Sequence, residues 1–397
     1  MPVVTLYGPR QSGKTTLARA TFPRHTYVTL EDPAVREEAL ADPRGFLRRV
    51  AKGAILDEVH RAPDLLSYLQ GIVDDDARPG RFVLTSSQNL LLLRSVSQTL
   101  AGRTALLRLL PLSVAELAGW RARPLRSLFA PRRRGPAGTG EGPARTTGPD
   151  AGGEVAARWQ AIWRGFFPRV CVGGADPVAW CADYVRTYVE RDVREVLRVG
   201  DLRAFQRFLV GAAARTAQEL NLSDLAADAG VTHPTAAAWL SVLEASSIVT
   251  LLPAHHENYG KLLRKRPRLH FLDTGLVCSL LGIRDAGVLE RHPLRGAIFE
   301  SFVAGEVLKT VENHGERPRA FHWRDAKGLE VDLLVDAGGA WFAVEAKSGE
   351  TVAQDWFGPL LRWTELARDL SPTGVIVHGG SANHESRGVL VRPWWGA

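Results

Sequence analysis

The sequence predicts an α/β chain: a parallel sheet covered on both faces at the N-terminal end, a helical middle, and a second α/β region at the C-terminal end. Three observations predict it. Apolar runs alternate with helix-like stretches through residues 1–118, the pattern of a parallel sheet with helices on both sides. The octet Gly8-Pro9-Arg10-Gln11-Ser12-Gly13-Lys14-Thr15 sits between the first strand and the first helix. Two strand-like runs, 330–335 and 341–347, flank Gly338-Gly339, which suits a two-residue hairpin turn.

In chain order, candidate strands are 3–7, 27–30, 54–57, 82–85 and 105–109. The expected organisation is 1–118 as the first α/β domain and 119–157 as a mobile insertion rich in Pro, Gly and Arg. A helical domain at 158–215, a helix-turn-helix domain at 216–289 and an α/β domain at 290–397 follow. No internal repeat is present.

The octet is G-x-x-x-x-G-K-T between a strand and a helix, the phosphate-binding loop of nucleoside-triphosphate-binding proteins. Its glycines let backbone N–H groups point at phosphate oxygens, and the helix beginning near Thr16 adds its positive end. Lys14 would reach the β and γ phosphates, and the Thr15 hydroxyl would bind Mg²⁺. The stretch Ala54-Ile55-Leu56-Asp57-Glu58 is a strand ending in an acidic pair. Asp57 would hold Mg²⁺ through water and Glu58 would polarise the attacking water, which separates a hydrolase from a passive binder. After the strand at 82–85, Ser87 or Asn89 is placed to sense the γ-phosphate. Arg103 is a candidate for transition-state charge, in cis or from a neighbouring subunit of a homo-oligomer.

These segments resemble a known family. Residues 8–17, ILDEVHRAP at 55–63, LTSSQNLL at 84–91, LAGR at 100–103 and LPLSVAEL at 110–117 carry the resemblance. IWRGFFP at 162–168, YVERDV at 188–193, FLDTG at 271–275 and LRGAIFESF at 294–302 extend it. The family is that of bacterial and archaeal AAA-type ATP-binding proteins with a C-terminal domain of unknown function. The resemblance implies a P-loop domain of the ASCE/AAA-like class, ATP and Mg²⁺ as cofactors, and ATP hydrolysis. Two departures stand out: the chain opens directly on its first strand, and Ser86 stands where relatives commonly have Gly, so a Cβ would crowd phosphate-proximal backbone.

The middle of the chain holds a helix-turn-helix pattern. Residues 222–231 give a first helix ending at Gly230. Thr232 is an N-cap candidate for a helix over 233–243, with Pro234 near its start. Leu240 and Leu243 are its expected core contacts, and Thr232, His233, Thr235 and Trp239 are expected to face outward. A strand at 249–252 would begin a wing, giving a helical/winged-helix middle domain. The helix carries no Lys or Arg, whereas the run 261–266 is basic. DNA is the expected partner, with a protein partner as the alternative.

At the C-terminal end a turn at Gly338-Gly339 pairs residues whose numbers sum to 677. Asp332 then opposes Glu345, and Glu330 opposes Lys347, all on one face by the two-residue period. Opposed like charges are destabilising, and a divalent cation such as Mg²⁺ between oxygen ligands would relieve them. Asp…Glu-x-Lys is also the core of the restriction-endonuclease-like nuclease fold, which the family's C-terminal region resembles. That likeness implies metal on the two acids and a catalytic Lys347. A further acid is expected from the preceding helix: Glu300 by its place in the Phe-Glu pattern, or Glu306 by its place in an apolar stripe. The alternative is an exposed hairpin with a Glu330–Lys347 pair and no metal. His255 and His256 read as loop residues, Trp394-Trp395 as a core cap or subunit contact, and Arg164 as a candidate nucleotide sensor.

Bulk properties exclude several classes. No apolar run reaches the ~18 residues of a membrane span and no secretory pattern opens the chain, so a cytoplasmic location is expected. Cys171, Cys181 and Cys278 form no C-x-x-C pair, which argues against a disulfide framework or a zinc site. The net charge of +7 is concentrated. Residues 121–157 carry seven arginines against Glu141, Asp150 and Glu154, a surplus of four. The charge of the rest is near balance and says little about nucleic acid. Of seven lysines, Lys14 and Lys347 fall in candidate reaction centres.

Overall fold

The computed structural model describes residues 1–86, 96, 98–121, 123–130, 151–189, 201–255, 266–325 and 327–396. The sensor candidates Ser87 and Asn89, most of 119–157, His256 and residues 261–265 lie outside the described residues. Two compact units divide the chain, one built on Met1–Pro111 with Ala238–Ile248 and the other on Leu112–Thr187, Gly200–Ala237 and Val249–Ala397.

The first unit is organised by a five-stranded sheet, wholly parallel. Its strands are β1 (Val3–Tyr7), β2 (Thr26–Thr29), β3 (Ala54–Asp57), β4 (Phe82–Thr85) and β5 (Thr104–Arg108), in the order β2-β3-β4-β1-β5. The two-residue period sorts their side chains onto two cores. Val3, Ala54, Leu56, Phe82 and Leu84 pack with Leu65, Leu66, Leu69 and Val73 of the helix Leu65–Asp75. Leu6, Ile55 and Val83 pack on the other face with Ala18 of the helix Lys14–Thr21. Burial on both faces is why the central strands β3 and β4 read as continuous apolar runs, whereas the edge strands β2 and β5 are partly exposed.

In the second unit, β6 (Gln218–Glu219), β7 (Val249–Leu252) and β8 (Arg268–Phe271) form a sheet in the order β6-β8-β7. The helix Leu222–Ala229 ends at Gly230 with φ 73°, a left-handed cap that glycine adopts without strain. The helix His233–Ala245 follows, its residues from Ala238 on grouped with the first unit, and Thr235 N donates to Thr232 Oγ1 at 3.3 Å. Thr232 and His233 are exposed, as expected. Trp239 is not: it is buried with Ala236, Leu240 and Leu243. These four positions fall on one helical stripe, so the indole belongs to the core face, not the outward one.

A six-stranded mixed sheet forms the C-terminal part, with β9 (Arg319–Arg324), β10 (Glu330–Ala337), β11 (Ala340–Lys347), β12 (Thr373–His378), β13 (His384–Ser386) and β14 (Val389–Pro393). Its order is β13-β14-β12-β11-β10-β9. Gly338 and Gly339 turn the β10–β11 hairpin with φ 60° and 88°, the conformation a two-residue turn requires. The pairs Leu333–Val344 and Leu334–Ala343 both sum to 677, the register read from the turn. Val331, Leu334, Ala343 and Ile376 pack on Phe357, Leu360 and Trp363 of the helix Phe357–Leu366. The preceding helix, Arg295–Asn313, is buried along most of its length. His255 meets the rings of Phe321, Trp341 and Trp363. Trp394 is buried against Phe302 and so caps a core.

Candidate functional site

The loop between β1 and the helix Lys14–Thr21 is shaped by its glycines. Gly8 has φ 147°, and a Cβ there would lie 2.1 Å from the Leu109 carbonyl oxygen. Gly13, the residue before the helix, has φ 96°. Gln11 also adopts a left-handed conformation, φ 58°. Pro9 is buried, Arg10 is half-buried and Thr16 is exposed at the start of the helix. Lys14 is buried, and its ammonium donates to the carbonyls of Gly8 at 3.1 Å and Pro9 at 2.6 Å. The Ser12 hydroxyl is buried with no partner among the described residues. A buried donor of this kind in a glycine-lined loop fits a phosphate.

The end of β3 comes to this loop. Thr15 Oγ1 donates to Asp57 Oδ1 at 2.8 Å. Thr85, at the end of β4, also donates to Oδ1, and Tyr27 of β2 donates to Oδ2 at 2.8 Å. Asp57 therefore gathers hydroxyls from three elements. Burial, and then the Asp57 carboxylate, push the Tyr27 phenol up to about 12, so it stays a donor. Glu58 follows in a left-handed conformation, φ 55°. Its Oε2 lies 3.1 Å from Nδ1 of the buried His60, which is also 2.9 Å from Ser86 Oγ. The imidazole thus links the acid to the end of β4. Tyr27, Thr85 and His60 are residues that the sequence reading missed. His60 stands in the quoted ILDEVHRAP stretch, whereas nothing local marks Tyr27.

Arg103 is engaged elsewhere. Its guanidinium forks onto Asp74, Nε to Oδ1 at 2.5 Å and Nη2 to Oδ2 at 2.8 Å, and hydrogen bonding to Arg103 holds the Asp74 carboxyl below its usual range. A role at the phosphates would require it to leave this partner.

Comparison with known proteins matches this architecture. A family model described as an AAA domain covers residues 1–118, and two described as domains of unknown function (DUF8612 and DUF4143) cover 156–287 and 295–395. An uncharacterized protein of Mycobacterium tuberculosis is 31% identical over 356 residues, 88% of this chain and 71% of that protein. An uncharacterized protein of Mycobacterium bovis matches to the same extent. The chain belongs to the AAA-type ATPase family with C-terminal domains of unknown function. A crystal structure of a protein from Vibrio cholerae aligns over 99% of this chain and 94% of that one, at 9% identity and a TM-score of 0.19, too low for its fold to be carried over.

In this family member the C-terminal acids are brought together around an arginine. Arg268, on β8, is buried, with its Nη1 2.7 Å from Glu300 and 3.2 Å from Asp332 and its Nη2 3.0 Å from Glu330. Burial opposes the charge, but the three carboxylates outweigh it and raise the guanidinium's pKa. Asp332 Oδ2 accepts from Ala346 N at 2.9 Å. Glu345 pairs with Lys347 at 2.7 Å, and its Oε2 is buried without a partner among the described residues. Burial, and next Asp332, push the Glu345 carboxyl up to about 8; burial and Asp332 likewise raise Glu300. The Glu330–Lys347 pair of the alternative reading is not formed; Glu330 pairs with Arg268 and Glu345 with Lys347. Glu306 does not join the cluster. It bonds Lys309 at 2.8 Å and Val114 N at 2.8 Å, a structural brace. Among the described residues no three His, Cys, Asp or Glu side chains are arranged to hold a metal. The missed partner, Arg268, left no distinct local signal, because it stands just after the basic stretch 261–266.

Proposed function

We propose that the protein hydrolyses ATP and couples the hydrolysis to binding or remodelling of DNA. The observation that carries the ATPase reading is the 2.8 Å contact of Thr15 with Asp57, which joins the phosphate loop to the acidic strand end. Bound Mg²⁺–ATP would supply the phosphoryl group and the cation that neutralises it. The loop N–H groups and the Ser12 hydroxyl would hold phosphate oxygens. Lys14 would exchange the Gly8 and Pro9 carbonyls for the β and γ phosphates. Thr15 and Asp57 would hold the cation. Glu58 would orient the attacking water and accept its proton, with His60 fixing the carboxylate.

The DNA reading rests on the helix pair 222–229 and 233–245, the exposed Thr232 and His233 at the start of the second helix, and the three-stranded sheet that includes the strand following it in the chain. Such a pair would suit a winged helix that presents a helix N-terminus to a groove. A second reading, a nucleotide-dependent switch that binds a protein partner, is favoured by the absence of Lys and Arg from the helix His233–Ala245. Metal-dependent cleavage would need a divalent ion among Asp332, Glu345 and Glu300, where Arg268 already stands.

The test is ATP turnover with Mg²⁺, with and without linear and branched DNA, beside Lys14→Ala and Glu58→Gln. DNA-stimulated turnover that both substitutions abolish is expected. Turnover indifferent to every DNA transfers the reading to the protein-partner switch. Glu58→Gln turning over at the wild-type rate removes the hydrolytic assignment.

A further inference from the structure

Four carboxylates, Glu300, Glu330, Asp332 and Glu345, meet two cations, Arg268 and Lys347, at the C-terminal end of the second unit. We infer that Arg268 is the resident cation of this acidic centre, standing where a divalent metal would otherwise stand and closing the centre to it.

The geometry supports the assignment in three ways. First, the guanidinium reaches three carboxylates within 3.2 Å while its side chain is only 4% exposed. A planar fork with several fixed donors can serve several acids at once, as a lysine ammonium would not. Second, the acid oxygens are already committed. Asp332 Oδ1 faces Arg268, Asp332 Oδ2 accepts from Ala346 N, and one Glu345 oxygen holds Lys347. Mg²⁺ demands a near-octahedral set of oxygens at about 2.0–2.1 Å. Bonded to Glu300 and Asp332, it would compete with the guanidinium for the same lone pairs and repel its charge. Third, Glu345 Oε2 is the buried acid oxygen left without a partner among the described residues, and one such oxygen is far short of a coordination sphere.

The contact also has a mechanical meaning. Arg268 lies within the matched segment 156–287 and its acids within 295–395, so the guanidinium clasps the two domains of unknown function together. Removing it should both loosen the clasp and uncover a cation site.

The experiment uses the full chain without nucleotide and measures Mn²⁺ binding by titration calorimetry and by the Mn²⁺ resonance signal. Four proteins are compared: wild type, Asp332→Asn, Arg268→Gln and Arg268→Gln with Asp332→Asn. The expected result is equal Mn²⁺ uptake by wild type and Asp332→Asn. Arg268→Gln should gain one equivalent per chain, with a Mn²⁺-dependent rise in its Tm, and the double variant should lose both. Uptake by wild type that Asp332→Asn abolishes overturns the inference, as does a folded Arg268→Gln that gains no Mn²⁺. Should Arg268→Gln not fold, wild type against Asp332→Asn decides alone: equal uptake supports a closed centre, and loss overturns it.

Discussion

Asp57 accepts hydroxyls from Thr15, Tyr27 and Thr85, and each does a different thing for it. Thr15 belongs to the phosphate loop, whereas Tyr27 comes from the neighbouring strand and only orients the carboxylate. Tyr27→Phe removes one hydrogen bond of about 1 kcal/mol. ATP turnover should fall about fivefold, with a higher Mg²⁺ requirement and little change in ATP affinity. Steady-state kinetics at several Mg²⁺ concentrations checks this, and an unchanged Mg²⁺ dependence would assign Tyr27 to packing alone. His270 offers a test that needs no nucleotide. It is buried beside Ser301 at 3.1 Å, and burial, then Arg268, lower its pKa to about 3. A base depressed in the folded state contributes stability that is complete above its unfolded value near 6.5 and is lost as pH falls toward 3. At pH 5 the loss is about 2 kcal/mol. His270→Gln should therefore flatten the fall of Tm between pH 6.5 and pH 5, as thermal melts across that range would record.

Elements whose rules are local were legible in the sequence. The β10–β11 hairpin is one, because two glycines at positive φ fix both the turn and the 677 register. The phosphate loop is another, since strand, glycines and helix follow one another directly. What the sequence hid depends on distant residues. Glu306 sits in an apolar helical stripe, which correctly signals burial but not purpose: its partners are Lys309 one turn on and Val114, 192 residues away in the chain. Lys309 also donates to the Leu112 carbonyl at 3.0 Å and lies 4.4 Å from the centre of the Phe166 ring. Trp239 misled for a related reason, as its stripe was read from Leu240 and Leu243 without Ala236. A buried ion pair that also holds backbone is costly to halve. Lys309→Met should destabilise the second unit by about 3–5 kcal/mol, and Lys309→Met with Glu306→Leu should recover part of that. Urea unfolding of both variants separates the brace from simple packing, which would leave the two equally destabilised.

At the scale of the whole molecule, a phosphate loop and a helix-turn-helix lie in one chain whose net charge of +7 is mostly local. Proximity in sequence does not make the two parts one machine; a coupling free energy does. If ATP drives DNA binding, each ligand must change the other's affinity by the same factor. Typical coupling of 1–3 kcal/mol corresponds to about 5–150-fold. Glu58→Gln is the protein to use, because it should bind ATP without consuming it. DNA affinity with and without Mg²⁺–ATP, and ATP affinity with and without DNA, close a thermodynamic square. The two ratios should agree and exceed about fivefold, and Lys14→Ala should abolish both by removing ATP from the loop. Raising salt should weaken the DNA arm, since phosphate contacts release counterions, but should leave the ATP arm without DNA largely unmoved. A protein-partner switch gives a different square: both ratios near one for every DNA, with the coupling appearing only when the partner protein replaces the nucleic acid.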